Sequence, residues 1–321
     1  MPNDHQPPTL GDYPTYYDKP ALKSGHWRWL IIGYFWAGGM AGGSYLLAMI
    51  AHLFGDEADR PIARWGRYIA VVMGAVVSPV LLIWDLGKPS RFYNMLRIFK
   101  PRSPMSVGTW GLLTFSFFSG MSAFLQAARD GLLRPFGPLA RLGKTLPFIP
   151  FESIGAFFGL FMSGYTGVLL SNATVPLWAK SYKTKGATFL SSALATASAA
   201  ITLLMALTDN ETPRAIRRLH HVQRGAMIVE GALIAHEVHH LGPLRGYLLR
   251  GKVAPHFYSA LLCGLVLPLL MRSPRSRAGR ILKALLTLVG GFLYRTSAVM
   301  GGHASAEDPQ AIFYHSDPRR D

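Results

Sequence analysis

The chain has almost no thiol chemistry: Cys263 is the one cysteine among 321 residues. A lone cysteine excludes a disulfide within the chain. It also excludes a zinc–thiolate site or an iron–sulfur cluster held by this chain alone, because those sites need several thiolates. Charge is sparse as well. Asp, Glu, Lys and Arg make up 16% of the residues, where a soluble protein carries about 25%. Acidic residues are the scarcest, 17 against 33 basic ones, which leaves a net charge of +16. Long polar stretches are missing too, so no connector reaches the roughly 50 residues a domain of its own requires. Any chemistry must occur within the apolar part of the chain or on a partner.

What fills the chain is apolar: 50% of the residues are hydrophobic. A bilayer core about 30 Å thick is crossed by a helix of roughly 20 apolar residues. Eight runs approach or meet that length: 29–54, 66–84, 107–128, 151–171, 187–207, 225–241, 256–271 and 281–301. The sequence therefore predicts an all-α integral membrane protein of about eight transmembrane helices in a bundle. Residues 1–28 and 302–321 are expected as extramembrane ends around a transmembrane domain over 29–301. The sixth run is weakened by Glu230, His236 and Glu237, and the seventh is short and holds Pro268. The first 26 residues are polar, with no basic segment before an apolar run, so the first span is expected to act as an uncleaved insertion signal.

An even number of spans puts both ends on one side, called side A. Lys and Arg number 16 in the connectors of each side, with Arg295 inside the last span. The positive-inside rule therefore does not orient the chain. The basic residues are spread over every connector rather than gathered on one face. Contact with lipid headgroups explains them, and nucleic acid is not expected as a partner.

Polar residues inside spans are costly and mark candidate sites. Trp84-Asp85-Leu86-Gly87-Lys88-Pro89-Ser90-Arg91-Phe92 closes the second span on side A, where Asp85 reads either as an interfacial helix end or as a proton-accepting carboxylate. In the fourth span Tyr165 lies between Gly164 and Gly167, which leave room beside its ring. Gly38-Gly39-Met40-Ala41-Gly42-Gly43 carries two interleaved small-xxx-small spacings, the mark of a close helix–helix contact. Glu230 and Arg295 fall within spans and read as a proton path or as a neutralising pair. Trp27, Arg28 and His303 sit at the level of Asp85 and Tyr165 on side A. Five basic residues, Lys88, Arg91, Arg97, Lys100 and Arg102, fill the connector 85–106, which suits an acidic partner surface.

One local match points elsewhere. His236-Glu237-Val238-His239-His240 fits the H-E-x-x-H pattern of zinc proteases, so a membrane metalloprotease is an alternative, with a transporter or assembly subunit as another. No third-ligand motif accompanies the pattern, and no bound metal is expected. The histidines gather mostly near side A, whereas two haems need axial pairs deep in the bundle. Haem is not expected either.

The stretches His26-Trp27-Arg28-Trp29, Gly38–Gly43, Asp85–Phe92, Phe99-Lys100-Pro101-Arg102-Ser103-Pro104-Met105-Ser106-Val107-Gly108-Thr109-Trp110 and Ser163–Ser171 follow one another over the first 175 or so residues. In this order the sequence resembles the NrfD/polysulfide-reductase membrane-subunit family. The second half is similar mainly by hydropathy. The resemblance implies an eight-helix anchor built as two four-helix bundles, without cofactors of its own, in the cytoplasmic membrane of a bacterium or archaeon. It implies a respiratory subunit, itself non-catalytic or quinone-reactive, that exchanges electrons between menaquinone or ubiquinone and the clusters of a four-cluster ferredoxin-like subunit. That subunit links in turn to a catalytic oxidoreductase subunit, often a molybdopterin enzyme, and proton translocation is an added expectation. The family's quinone pocket uses an Asn and a His on helix one, an acidic residue, and a Tyr on helix four. Asp85 and Tyr165 match the last two. The helix-one pair is replaced by Ile31 and Tyr34.

Overall fold

The computed structural model describes residue 22, residues 27–209 and residues 211–316, and every regular element among them is helical. His26 lies outside the described residues. The chain runs through α1 (Trp29–Phe54), α2 (Arg60–Ala70), α3 (Ser78–Asp85), α4 (Pro104–Arg129), α5 (Gly137–Thr145) and α6 (Ile149–Ser171). It continues through α7 (Pro176–Lys180), α8 (Lys185–Leu207), α9 (Pro213–His240), α10 (Gly246–Leu249), α11 (Ala254–Leu261), α12 (Leu267–Leu270), α13 (Arg277–Glu307) and α14 (Pro309–Ser316).

Among the described residues, six helical units are long and apolar enough to cross a membrane: α1, the stretch Glu57–Asp85, α4, α6, α8 and α13. The bent pair Gly242–Leu249 with Ala254–Leu270 turns through 88° and counts as a seventh only if it is one broken span and not a re-entrant loop. Helix α9 has 28 residues but falls outside the class of helices apolar enough to cross, so the described residues hold six or seven such spans against the eight expected.

Two crossings change helical pitch, and proline is the reason. Val71–Val77 and Leu262–Val266 are wide π-helical turns, followed by Pro79 and Pro268. A proline inside a helix has no amide to give, and its ring clashes with the carbonyl four residues back. Those carbonyls belong to Ala75 and Gly264, inside the widened turns. The amides of Ser78 and Leu267 bond five residues back instead, to Met73 and Leu262. Ser78 Oγ adds a second bond to the Met73 carbonyl at 2.7 Å.

Helix α1 stands at the centre, packed against α2, α3, α6, α8 and α13. The glycine run makes that possible. Gly42 lies on the backbone of Gly159 in α6 and Gly43 on that of Ala193 in α8, where any side chain would collide. The opposite side, side B, is tied by charge. Glu152 receives Arg67 Nε at 2.6 Å and also bonds His52, while Arg67 Nη1 donates to Gln126 at 2.5 Å. Asp130 collects Gln126, Arg64 and Tyr68 at 2.9, 2.7 and 2.7 Å. Asp56 accepts from Arg214 at 2.7 Å and Asp59 from Arg218, which ties the start of α9 to the first half.

Candidate functional site

Tyr165 is buried near the side A end of α6, because α4 starts beside it. Its hydroxyl donates to the carbonyl of Pro104, the first residue of α4. Its ring stacks on Phe161 with centroids 4.7 Å apart. Gly108 admits the phenol, since a Cβ there would run into it. Tyr34 of α1 is buried. Asp85 is the last residue of α3 and half-buried. Helix α3 lies along α1, with Leu81 against Gly33.

Trp27 and His303 belong to a second group. Trp27 stacks on Trp178, centroids 5.0 Å apart and planes 20° apart, and meets the edge of Phe35. Trp178 is fully buried on Gly302, and its indole donates to the Ala298 carbonyl at 2.8 Å. The His303 ring lies 5.7 Å from it. Arg28 is exposed at the start of α1. Tyr34 and Phe35 divide the groups, because neighbouring residues on a helix point about 100° apart. Tyr34 faces Met162 and Ser78 across Gly38, and Phe35 faces Trp27 and Phe189. Ile31 is buried core.

Glu230 and Arg295 are both buried. Arg295 Nη1 donates to Ser192 Oγ at 3.1 Å, and Ser192 and Glu230 border one small cavity. Arg295 Nε also donates to the Phe35 carbonyl at 3.0 Å. Its guanidinium points at Gly39, where a Cβ would stand 2.9 Å from Nη2. Sequence reasoning missed the polar neighbours of this pair. Glu237 is buried and bonded by Lys185, by Ser181 Oγ at 3.0 Å and by Tyr294 Oη at 3.4 Å. Lys185 sits at a span end, where a cation passes for an interfacial one. Glu237 was visible only as a charge that weakens the sixth run and as part of the protease-like pattern.

That pattern is split by the helix. His236 and His240 are exposed and stack in parallel, centroids 6.1 Å apart. Glu237 turns inward to Lys185, away from the face where the two imidazoles stand. No group of three or more His, Cys, Asp or Glu fit to hold a metal ion occurs among the described residues.

Lys88, Arg91, Arg97, Lys100 and Arg102 are all exposed on the side A connector after α3. Phe92, Tyr93, Ile98 and Phe99 are exposed among them. The connector is a 3₁₀ turn, Pro89–Leu96, followed by an irregular stretch up to α4.

Residues 20–305 match the family model for the polysulphide reductase NrfD. The sequence is also 28% identical to the C subunit of the polysulfide reductase of Wolinella succinogenes, over 45% of this protein and 47% of that one. The match thus spans about half the length of that relative.

Proposed function

The chain belongs to the NrfD polysulphide reductase family, and on that premise we propose that this multi-pass membrane protein is the quinone-reactive anchor of a respiratory oxidoreductase. Menaquinone or ubiquinone exchanges electrons with an iron–sulfur cluster of a docked subunit on side A. The docked subunit is a four-cluster ferredoxin-like protein joined to a catalytic subunit, often a molybdopterin enzyme. The complex resides in a bacterial or archaeal cytoplasmic membrane. Oxidising a quinol yields the quinone, two electrons and two protons. Asp85 takes up protons, and Tyr165 gives or accepts the hydrogen bond at a ring oxygen.

The observation that carries this reading is the buried phenol of Tyr165 near the side A end of α6. Asp85 closes α3 at the same side, next to the exposed basic connector. The Tyr165 hydroxyl is engaged by Pro104, so an arriving quinone oxygen must compete for it. Trp27, Arg28 and His303 are outer contacts. Trp27 and His303 gather on the other face of α1 and Arg28 is exposed at its start, so their loss is expected to matter less than that of Tyr165.

Asp85→Asn keeps shape and a hydrogen bond but loses the proton acceptor, and Tyr165→Phe loses only the hydroxyl. Each is expected to cut quinone-linked turnover of the intact complex by about tenfold or more, and to leave the partner enzyme's activity with an artificial dye unchanged. Wild-type quinone turnover in both, with normal assembly, overturns the site.

A further inference from the structure

The side B ends of α1, α2 and α4 border a cavity of about 740 Å³ that the quinone reading does not use. Its walls carry His52, Arg60, Arg67, Gln126, Arg129 and Phe148. That volume lies within the range of small-molecule sites, roughly 300–1,000 Å³. The carboxylates around the rim already have cations of their own. Asp56 accepts from Arg214 at 2.7 Å, Asp130 from Arg64 at 2.7 Å, Glu152 from Arg67 at 2.6 Å, and Glu57 from Arg60. Arg129 is the cation left over. A guanidinium has five N–H donors. Among the described residues Arg129 gives one hydrogen bond, to the Leu146 carbonyl at 3.2 Å.

Arg129 is nevertheless held in place. Its guanidinium carbon lies 3.9 Å from the centre of the buried Phe148 ring, and that of Arg67 lies at the same distance. The two like charges therefore stand no more than twice that distance apart. Arg67 is itself buried and fixed by Glu152 and Gln126, so it does not turn away. Glu152 is already shared between Arg67 and His52. Like charges at this spacing repel, and an anion in the cavity offsets the repulsion.

We propose that this cavity binds the phosphate of an anionic phospholipid, with Arg129 and Arg67 as its ligands. A guanidinium fork meets phosphate oxygens two at a time. The surroundings select a lipid over a free ion. A cleft of about 330 Å³ walled by Leu47, Ile50 and Phe54 shares Ala51 and Gly55 with the cavity, which gives an acyl chain a place beside the headgroup. Helix α5 lies against α4, with Gly143 on Ala128. It exposes Leu139 and Leu142 together with Arg141 and Lys144. A helix of this kind lies at the membrane–water boundary with its cations among the headgroups, so the cavity stands at the level of lipid phosphates. The site is independent of the quinone reading.

The test follows thermal unfolding of the full chain in an uncharged detergent as lipid is added. Dioleoyl phosphatidylglycerol is expected to raise the unfolding temperature of the wild type, as a ligand of the folded state does. Dioleoyl phosphatidylcholine, with the same chains and no net charge, and inorganic phosphate are each expected to need about tenfold or more higher concentration for the same rise. Arg129→Gln is expected to weaken the response to phosphatidylglycerol by about tenfold or more, through loss of a charged bidentate contact. Lys144→Gln, which changes an exposed cation that does not border the cavity, is expected to respond as the wild type does. No rise with phosphatidylglycerol, or an equal rise with phosphatidylcholine, overturns the site. An equal rise with inorganic phosphate overturns the lipid as its occupant. Equal weakening in Arg129→Gln and Lys144→Gln shows diffuse attraction to a basic surface and overturns the cavity. If Arg129→Gln does not fold, native mass spectrometry of the wild type with added phosphatidylglycerol decides: a chain that carries none of it overturns the proposal.

Discussion

Arg67 shows how much one side chain holds at the membrane edge. It joins Glu152 and Gln126 and lies over the Phe148 ring at 3.9 Å, while Glu152 also bonds His52. Removing one partner of a buried pair leaves an uncompensated charge and costs about 3–5 kcal/mol. Arg67→Ala is therefore expected to lower the thermal unfolding temperature in detergent sharply. Arg67→Lys recovers little, because an ammonium cannot reproduce two directed guanidinium bonds. No change in unfolding temperature on Arg67→Ala would remove the network from the account of stability. Gly108 is the second residue of this kind. A methyl at that position meets the Tyr165 ring, and overpacking of this sort costs about 1–3 kcal/mol. Gly108→Ala is expected to displace the phenol and reduce quinone-linked turnover more than dye-linked turnover. Equal effects on both rates would mean that the glycine serves folding alone.

At the scale of elements, the connector between α3 and α4 is the part built to meet something outside the chain. Its five cations and its exposed aromatics face outward. Opposite charges across an interface steer association and are screened by salt, over about 10 Å at 0.1 M. Arg97→Glu with Lys100→Glu is expected to release the iron–sulfur subunit at lower salt than the wild type does, with the membrane chain still folded. Cross-linking in the intact complex that places residues 85–102 only against lipid would count against this surface. The π-helical turns make a different point. Pro79→Ala returns an amide to the helix, so the turn Val71–Val77 is expected to tighten and shift Asp85 around the α3 axis. A quinone-linked rate that is unchanged in Pro79→Ala would show that Asp85 does not depend on that turn.

At the scale of the whole molecule, the chain divides its polar groups by depth and side. The side B ends hold ion pairs among α1, α2, α4, α6 and α9. Side A carries the basic connector and the tyrosine and tryptophan groups, and the second half carries buried polar groups along α9 and α13. On the proposed quinone reading, and with Cys263 as the single cysteine, electrons leaving the site need an acceptor on another subunit. The purified chain is expected to carry no haem, iron or stoichiometric zinc, which absorption spectra and metal analysis would check. A Soret band in the isolated chain would contradict it.

The helical class, the family and most of the crossings could be read from the residues in order. Apolar runs of bilayer length admit few alternatives, since every backbone amide in lipid must be bonded within its own helix. The places of Asp85 at a helix end, of Tyr165 beside glycines and of the small residues along α1 were legible because each depends on adjacent residues. Which side chains meet was decided by packing. Trp27 and His303 gather round Trp178 rather than Tyr165, because successive residues of α1 face different neighbours. Glu237 looked like part of a zinc motif, and the turn of α9 directs it to Lys185 and Tyr294. Residues at the ends of spans, such as Glu152, Arg67 and Lys185, looked interfacial in one dimension. Their burial depends on helices up to a hundred residues away, and sequence spacing along one helix carries no information about that approach.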